Sequence, residues 1–343
     1  QQRVRPGWRS AVYAVMTLLL VGLGPLNNAA GAQTQTAANA VTTFNVHSSA
    51  GVQAEPAITV ILRDSNGPEY EVRLPELLIG RLLDTVAVGL FARAYGLAWQ
   101  LRWLVSGGMT TVFYPAFARF RDRGDPLGPH YERVTASFTA ITWPTMAGLA
   151  ACSGPVVNIL YGERWLGAAR PLEWIAMAQI LMIALPLHVE LPILLKRTRP
   201  LLWRFGLDTA VSVVLLAIGA MFSLEAAAAS RVAYGFAWLA IHAPFLQSVV
   251  GFRWSALARI WLQSALVTGV AVLPVWLSYI YVAPAIEAGF VQVSGAALVG
   301  IAAWLIALRQ IRHPAYFEIH HFASQALGKF GLDRLVPAPR AAS

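Results

Sequence analysis

Cysteine is almost missing from this chain. Cys152 stands alone in an apolar run, which excludes an internal disulfide framework and a cysteine metal cluster. Charge is scarce too, at 13% of residues against 57% hydrophobic, with a mean hydropathy of +0.56. That balance excludes an ordinary soluble domain and points to an integral membrane protein. Acidic residues are the rarer sign, 17 against 26 basic, for a formal charge of +9. Basic and aromatic residues do not interleave into a surface that stacks bases, so nucleic acid is not an expected partner. The chain also lacks a glycine-rich phosphate loop, a nucleophile elbow and a carboxylate pair in a soluble stretch, so neither an enzyme nor a nucleotide-driven pump is expected. His313, His320 and His321 fit no metal-ligand spacing, and no metal or cofactor is expected.

What the chain does have is a series of long apolar runs. From Gly89 to Asp125 one run holds a stretch, Ala94 to Phe117, with the length of a membrane-spanning helix, about 20 residues or a little more. Arg93 and Arg102 sit at or inside its opening half, where a charge costs roughly 2.5–3.5 kcal/mol on insertion scales. Arg119, Arg121 and Arg123 then close it. Two readings are open for the early arginines: they snorkel to the outer interface, or they face a wet cavity that handles anions. Further spans are expected at 136–160, 172–195, 202–222, 232–250, 261–282 and 290–308, giving an all-α bundle whose backbone groups pair within their own helices. The connecting loops alternate between rich and poor in basic residues. The positive-inside rule then puts the amino end of the bundle outside and its carboxyl end in the cytoplasm.

The flanks differ in kind. Residues 1–32 carry Arg3, Arg5 and Arg9, an apolar run and Ala30-Gly31-Ala32, the anatomy of a secretory signal peptide, with an uncleaved anchor as the alternative. Residues 33–75 form a short irregular or β-prone region, expected to be exported. Within it Ile58–Asp64 and Glu69–Leu74 flank Asn66-Gly67, a hairpin cue. The bundle itself is expected over 76–312. Residues 313–343 form a cytoplasmic tail, either an interfacial amphipathic helix or a plain tail.

Several short motifs occur in one order: Gly80-Arg81, then Gly89-Leu90-Phe91-Ala92-Arg93-Ala94-Tyr95, then Tyr114-Pro115-Ala116-Phe117-Ala118-Arg119, then Tyr161-Gly162-Glu163-Arg164-Trp165, then Lys196-Arg197-Thr198-Arg199-Pro200. Together, over about Glu76 to Arg312, they resemble the second helical bundle of the bacterial polysaccharide (O-antigen type) flippases of the multidrug/oligosaccharidyl-lipid/polysaccharide exporter superfamily. The resemblance implies half of a two-bundle flippase fold in the bacterial inner membrane. It implies a function in polysaccharide or lipopolysaccharide biosynthesis: moving a polyprenyl-diphosphate-linked oligosaccharide between leaflets, powered by an ion gradient. It also implies a partner across which the bundle rocks, a separate first bundle or a second copy, and the alternative is an inactive fragment. Residues 1–75 lie outside the resemblance. Of the rival classes, a membrane-embedded glycan polymerase or acyltransferase needs a long outer loop with catalytic groups, and the outer loops after Ala136 are short. A drug or cation exporter favours acidic cavities. A sensor would have to fold 33–74 as a ligand-binding domain, a small size without disulfides.

Arg93 and Arg102 are nine residues apart and fall on opposite sides of a helix. With Tyr95, which completes the Arg-Ala-Tyr motif, they are candidates for contact with substrate or cavity. Arg93 can equally be a snorkelling, structural residue. Arg102 can pair with an acid on a neighbouring helix or face a phosphate-bearing cavity. His188 and Glu190 sit between Pro186 and Pro192, a pattern that frees backbone groups and makes discontinuous helices. Glu190 can carry a coupling proton, or simply pair with Lys196 or an arginine. Asp208 is expected to pair with Arg204 one turn away, and His242 to be a hydrogen-bonded core residue. Through the resemblance, Gly80, Arg81, Glu163, Arg164, Trp165, Lys196 and Arg199 are structural motif residues, with the Glu163–Trp165 turn fixing how two helices meet.

Overall fold

The computed structural model describes residues 41–45, 59–63, 69–282, 284, 288–311 and 313–316. The signal-like segment, most of 33–75 and the tail beyond Tyr316 lie outside the described residues, as do His320 and His321. Two units are distinct. In the first, strands β1 (Val41–Asn45), β2 (Thr59–Arg63) and β3 (Glu69–Arg73) form an antiparallel sheet in sequential order. The register pairs Val41 with Arg63 and Arg63 with Glu69, so the two runs flanking Asn66-Gly67 lie side by side.

The second unit is helical. A short helix, α1 (Leu74–Leu82), leads into α2 (Thr85–Arg123), whose 39 residues make it roughly 58 Å long. Asp84 caps α2 by accepting from the Ala87 amide at 2.6 Å, and Gly124, at φ 75°, ends it in the left-handed conformation. α3 (Leu127–Ala151) passes through Cys152 into α4 (Ser153–Tyr161), so the expected 136–160 span is two helices. A 3₁₀ turn over Glu163–Ala168 then enters α5 (Ala169–Ile183). Four long helices complete the bundle after a five-residue helix, α6 (Glu190–Leu194): α7 (Thr198–Ala220), α8 (Leu224–Val250), α9 (Trp254–Tyr281) and α10 (Phe290–Gln310).

Among the described residues, α7 to α10 are the helices long and apolar enough to cross a membrane. They leave large apolar side chains outward, such as Leu207 and Ile218 on α7, Trp276 and Ile280 on α9, and Leu298 and Ile301 on α10. Contiguous exposure of this kind marks a face solvated by lipid. α2 and α3 have the length but a more polar composition, and the 172–195 span is interrupted. The chain is thus an α-helical, multi-pass membrane protein.

Two apolar cores hold the helices together. One gathers Phe91, Ala94 and Ala98 of α2 with Leu172 and Ile175 of α5, Leu216 of α7 and Ala227 of α8. The other gathers Phe117, Phe138, Leu185, Leu187, Tyr234, Trp238 and Leu246. α5 and α8 approach closely because of Gly235, where an added Cβ would lie 2.8 Å from Leu181. Small residues at such crossings let packing hold helices together where lipid removes the hydrophobic drive. At one end of the bundle Glu132 of α3 accepts from the Arg253 amide at 3.0 Å and from its guanidinium at 3.3 Å, tying α3 to the start of α9. After α10, His313 is fully buried and bonds Ser264 Oγ at 3.1 Å, which in turn meets Thr139 Oγ1 at 2.8 Å. The Ala315 amide donates to His313 Nδ1, so Nε2 carries the proton that Ser264 accepts.

Candidate functional site

The bundle interior is apolar except where a few helices bring polar groups together. Arg102 leaves α2 between the segments that feed the two cores and is only 5% exposed. Its Nη1 donates to Gln179 Oε1 of α5 at 2.6 Å, and Ser106 Oγ donates to the Arg102 carbonyl at 2.7 Å. A cation at this depth needs hydrogen bonds and neighbouring anions to offset desolvation.

Next to it the third apolar run breaks. α5 stops at Ile183, and the chain resumes as a helix only at Glu190. Two non-glycine residues in left-handed backbone bracket the short α6: Leu187 and Lys196, both at φ 56°. Such a conformation costs about 1–2 kcal/mol in an L-residue and persists only where packing enforces it. Leu187 is fully buried in the second core, which supplies that enforcement. The break carries His188 and Glu190, and the Arg102 guanidinium lies within electrostatic range of both.

On the other side of His188 lie α7 and α8. The His188 ring meets Trp238 edge-on at 4.8 Å and His242 at 5.6 Å. His242 Nε2 stands 3.6 Å from Asp208 Oδ2, with Asp208 fully buried and His242 1% exposed. Neither carboxylate oxygen of Asp208, neither ring nitrogen of His242, nor His188 Nδ1 nor Glu190 Oε2 has a hydrogen-bond partner among the described residues. Buried polar atoms are usually paired, so a cluster of orphans at a helix break is the feature of this fold that most calls for a function.

The structure therefore brings Arg102, His188 and Glu190 together and sets Arg93 and Tyr95 apart. Arg93 is exposed and lies over the rings of Tyr161 (5.6 Å) and Trp165 (5.2 Å). Tyr95 stacks on Phe91 at 6.2 Å. Trp165 packs against the first core while Glu163 and Arg164 are exposed. Gly80 sits where a Cβ would come 3.1 Å from Val88, and Arg81 is exposed in the last turn of α1. Lys196 and Arg199 are exposed beside α6 and at the start of α7.

Three placements differ from the reading of the sequence. Asp208 does not pair with Arg204: it turns inward to His242, while Arg204 donates to the Pro200 carbonyl at 3.0 Å and lies over Phe245 at 4.1 Å. His242 faces a carboxylate instead of settling into an ordinary hydrogen bond. Arg231, one residue ahead of the expected 232–250 span, is inside α8, 5% exposed, and donates to Ser212 Oγ of α7 at 2.7 Å. Gln179 and Asp208 are polar residues inside apolar runs, which was the available signal. Their partners are 77 and 34 positions away and lie on other helices.

Comparison with known proteins falls on the stretch that opens the bundle. Residues 70–170, from β3 to the start of α5, match the family model described as polysaccharide biosynthesis protein. The chain is 25% identical over 107 residues to the teichuronic acid biosynthesis protein TuaB of Bacillus subtilis (strain 168), covering 31% of this chain and 22% of that protein. It is 27% identical over 92 residues to the lipopolysaccharide biosynthesis protein WzxC of Escherichia coli (strain K12), 27% of this chain and 19% of that one. A membrane protein of the cps region of Klebsiella pneumoniae is 23% identical over 111 residues, 32% and 23% of the two chains. The matched stretch spans about a fifth of the length of each of these relatives. No solved structure matches. These similarities support the resemblance carried by the motifs from Gly80 to Trp165, and they fall on a chain with membrane-spanning helices.

Proposed function

We propose that the chain takes part in moving a polyprenyl-diphosphate-linked oligosaccharide across the bacterial inner membrane, as a half-size or partial member of the flippase type. The observation that carries the reading is Arg102: a buried cation, next to a broken helix, on the helix that the polysaccharide-biosynthesis match covers. An anionic diphosphate and a polar glycan must cross a low-dielectric slab, and a cation in a hydrated cavity offsets that desolvation while the lipid tail stays in the bilayer. The work is transport, not covalent chemistry, and an ion gradient supplies the energy. In this reading all seven apolar segments cross the membrane, with the broken fifth-to-sixth helix pair lining the path, the amino end of the bundle outside and the carboxyl end in the cytoplasm. Rocking requires a second body, a separately encoded first bundle or another copy of this chain.

The test is complementation. The chain is expressed in a bacterium lacking its polysaccharide flippase, with and without a separate first bundle, and surface glycan is scored. Rescue in either arm, lost with Arg102→Met, is the expected result. Membrane-inserted protein with no rescue in both arms would contradict the reading.

A further inference from the structure

The bundle contains a buried acid–base pair that the substrate path does not explain. Asp208 on α7 and His242 on α8 face each other at 3.6 Å, too far for a direct hydrogen bond and too near to be independent. No group of three or more His, Cys, Asp or Glu among the described residues has the arrangement to hold a metal ion. A lone carboxylate in such a place is costly, and the smallest species that neutralises it is a proton.

We propose that Asp208 and His242 form the exchangeable-proton site of this bundle, with the Asp208 carboxylate as acceptor. With the proton bound, the pair is a carboxylic acid facing a neutral imidazole, neutral overall. When the proton leaves to water, a carboxylate and a neutral imidazole remain, with one net negative charge. Charged and titratable neighbours from each packed element bear on that balance. Arg204 lies one turn from Asp208 on α7, and Arg231 of α8 is bonded to Ser212, one turn the other way. His188, from the break, meets His242 ring to ring, and Glu190 and Arg102 lie beyond it. His188 is in ring contact with His242 and within electrostatic range of Arg102, so it connects the proton pair to the cationic site. The site's role in driving movement rests on the transport reading; its existence does not.

Infrared difference spectroscopy on the full chain in lipid nanodiscs, stepped across about pH 4 to 9, reads the pair directly. We expect a carboxylic-acid C=O band that disappears in Asp208→Asn, shifts in His242→Gln, and stays in Glu190→Gln. In wild-type protein the same band shifts on ¹³C-labelling of aspartate and not of glutamate, and in Asp208→Glu, which keeps an acid in place, it follows glutamate labelling instead. A band that survives Asp208→Asn, follows glutamate labelling in wild-type protein, or never occurs overturns the proposal. No substrate is present, so failure of the export assay leaves this result standing, and failure here leaves the export assay to be judged alone.

Discussion

Replacing Arg102 separates what the fold needs from what transport needs. In Arg102→Met the charge-assisted hydrogen bond to Gln179 goes, a loss of roughly 1.5–3 kcal/mol, and the Gln179 carbonyl oxygen is left without its donor in an apolar interior, at a cost of roughly 1–3 kcal/mol. The two overlap, so a net destabilisation of about 2–4 kcal/mol is expected. The double variant Arg102→Met, Gln179→Leu removes both polar partners, and such paired replacement is often neutral or stabilising. Unfolding in detergent micelles should therefore show the single variant weakened and the double variant restored to within about 1 kcal/mol of wild type. If Arg102 acts on the substrate, export stays lost in both. A single variant as stable as wild type would refute the energetic reasoning, and a double variant that exports normally would refute the functional role.

Three further outcomes follow from packing and charge. Burial pushes the His313 imidazole down from 6.5 to about 4. The folded state therefore holds the neutral ring, and the docking of residues 313–316 is fully stable above about pH 6.5 and loses up to about 3 kcal/mol as pH falls to about 4. Hydrogen-exchange protection of the amides in 313–316, corrected for the intrinsic pH dependence of exchange, should fall over that window in wild type and be flat in His313→Leu. Gly235→Ala should cost about 1–3 kcal/mol through its clash with Leu181, and Leu181→Ala in the same chain should recover part of it, as thermal unfolding in detergent can show. Lys196→Gly, at an exposed left-handed position, should stabilise by about 0.5–1 kcal/mol, and a fall in melting temperature would contradict the strain assigned there.

The helices that meet lipid were the most legible part of the sequence. The runs at 202–222, 261–282 and 290–308 fall on α7, α9 and α10 because a lipid-facing helix must be apolar over most of its length. Helix starts were less legible, since they are set by caps and not by hydropathy: Ser223 caps α8 by accepting from Ala226, nine residues before the apolar run at 232 begins in earnest. Arg231 fell just outside the expected 232–250 span for that reason. The helix break was foreshadowed by Pro186 and Pro192, but the left-handed turns at Leu187 and Lys196 were not, because non-glycine residues adopt them only under tertiary constraint. Arg102, His188 and Glu190 stood out as charges or imidazole in apolar surroundings. Asp208 and His242 did not stand out as a pair, since which helix faces which is decided by packing in three dimensions.

Export itself remains the most direct measurement. Surface glycan would be quantified in a flippase-deficient strain carrying the wild-type chain, Arg102→Met, or the stability-restored double variant, each with and without a separate first bundle. Glycan is expected at the surface with wild type in at least one arm and with neither Arg102 variant. Correctly inserted wild-type protein that restores no glycan in either arm, or an Arg102 variant that restores it fully, would contradict the transport reading.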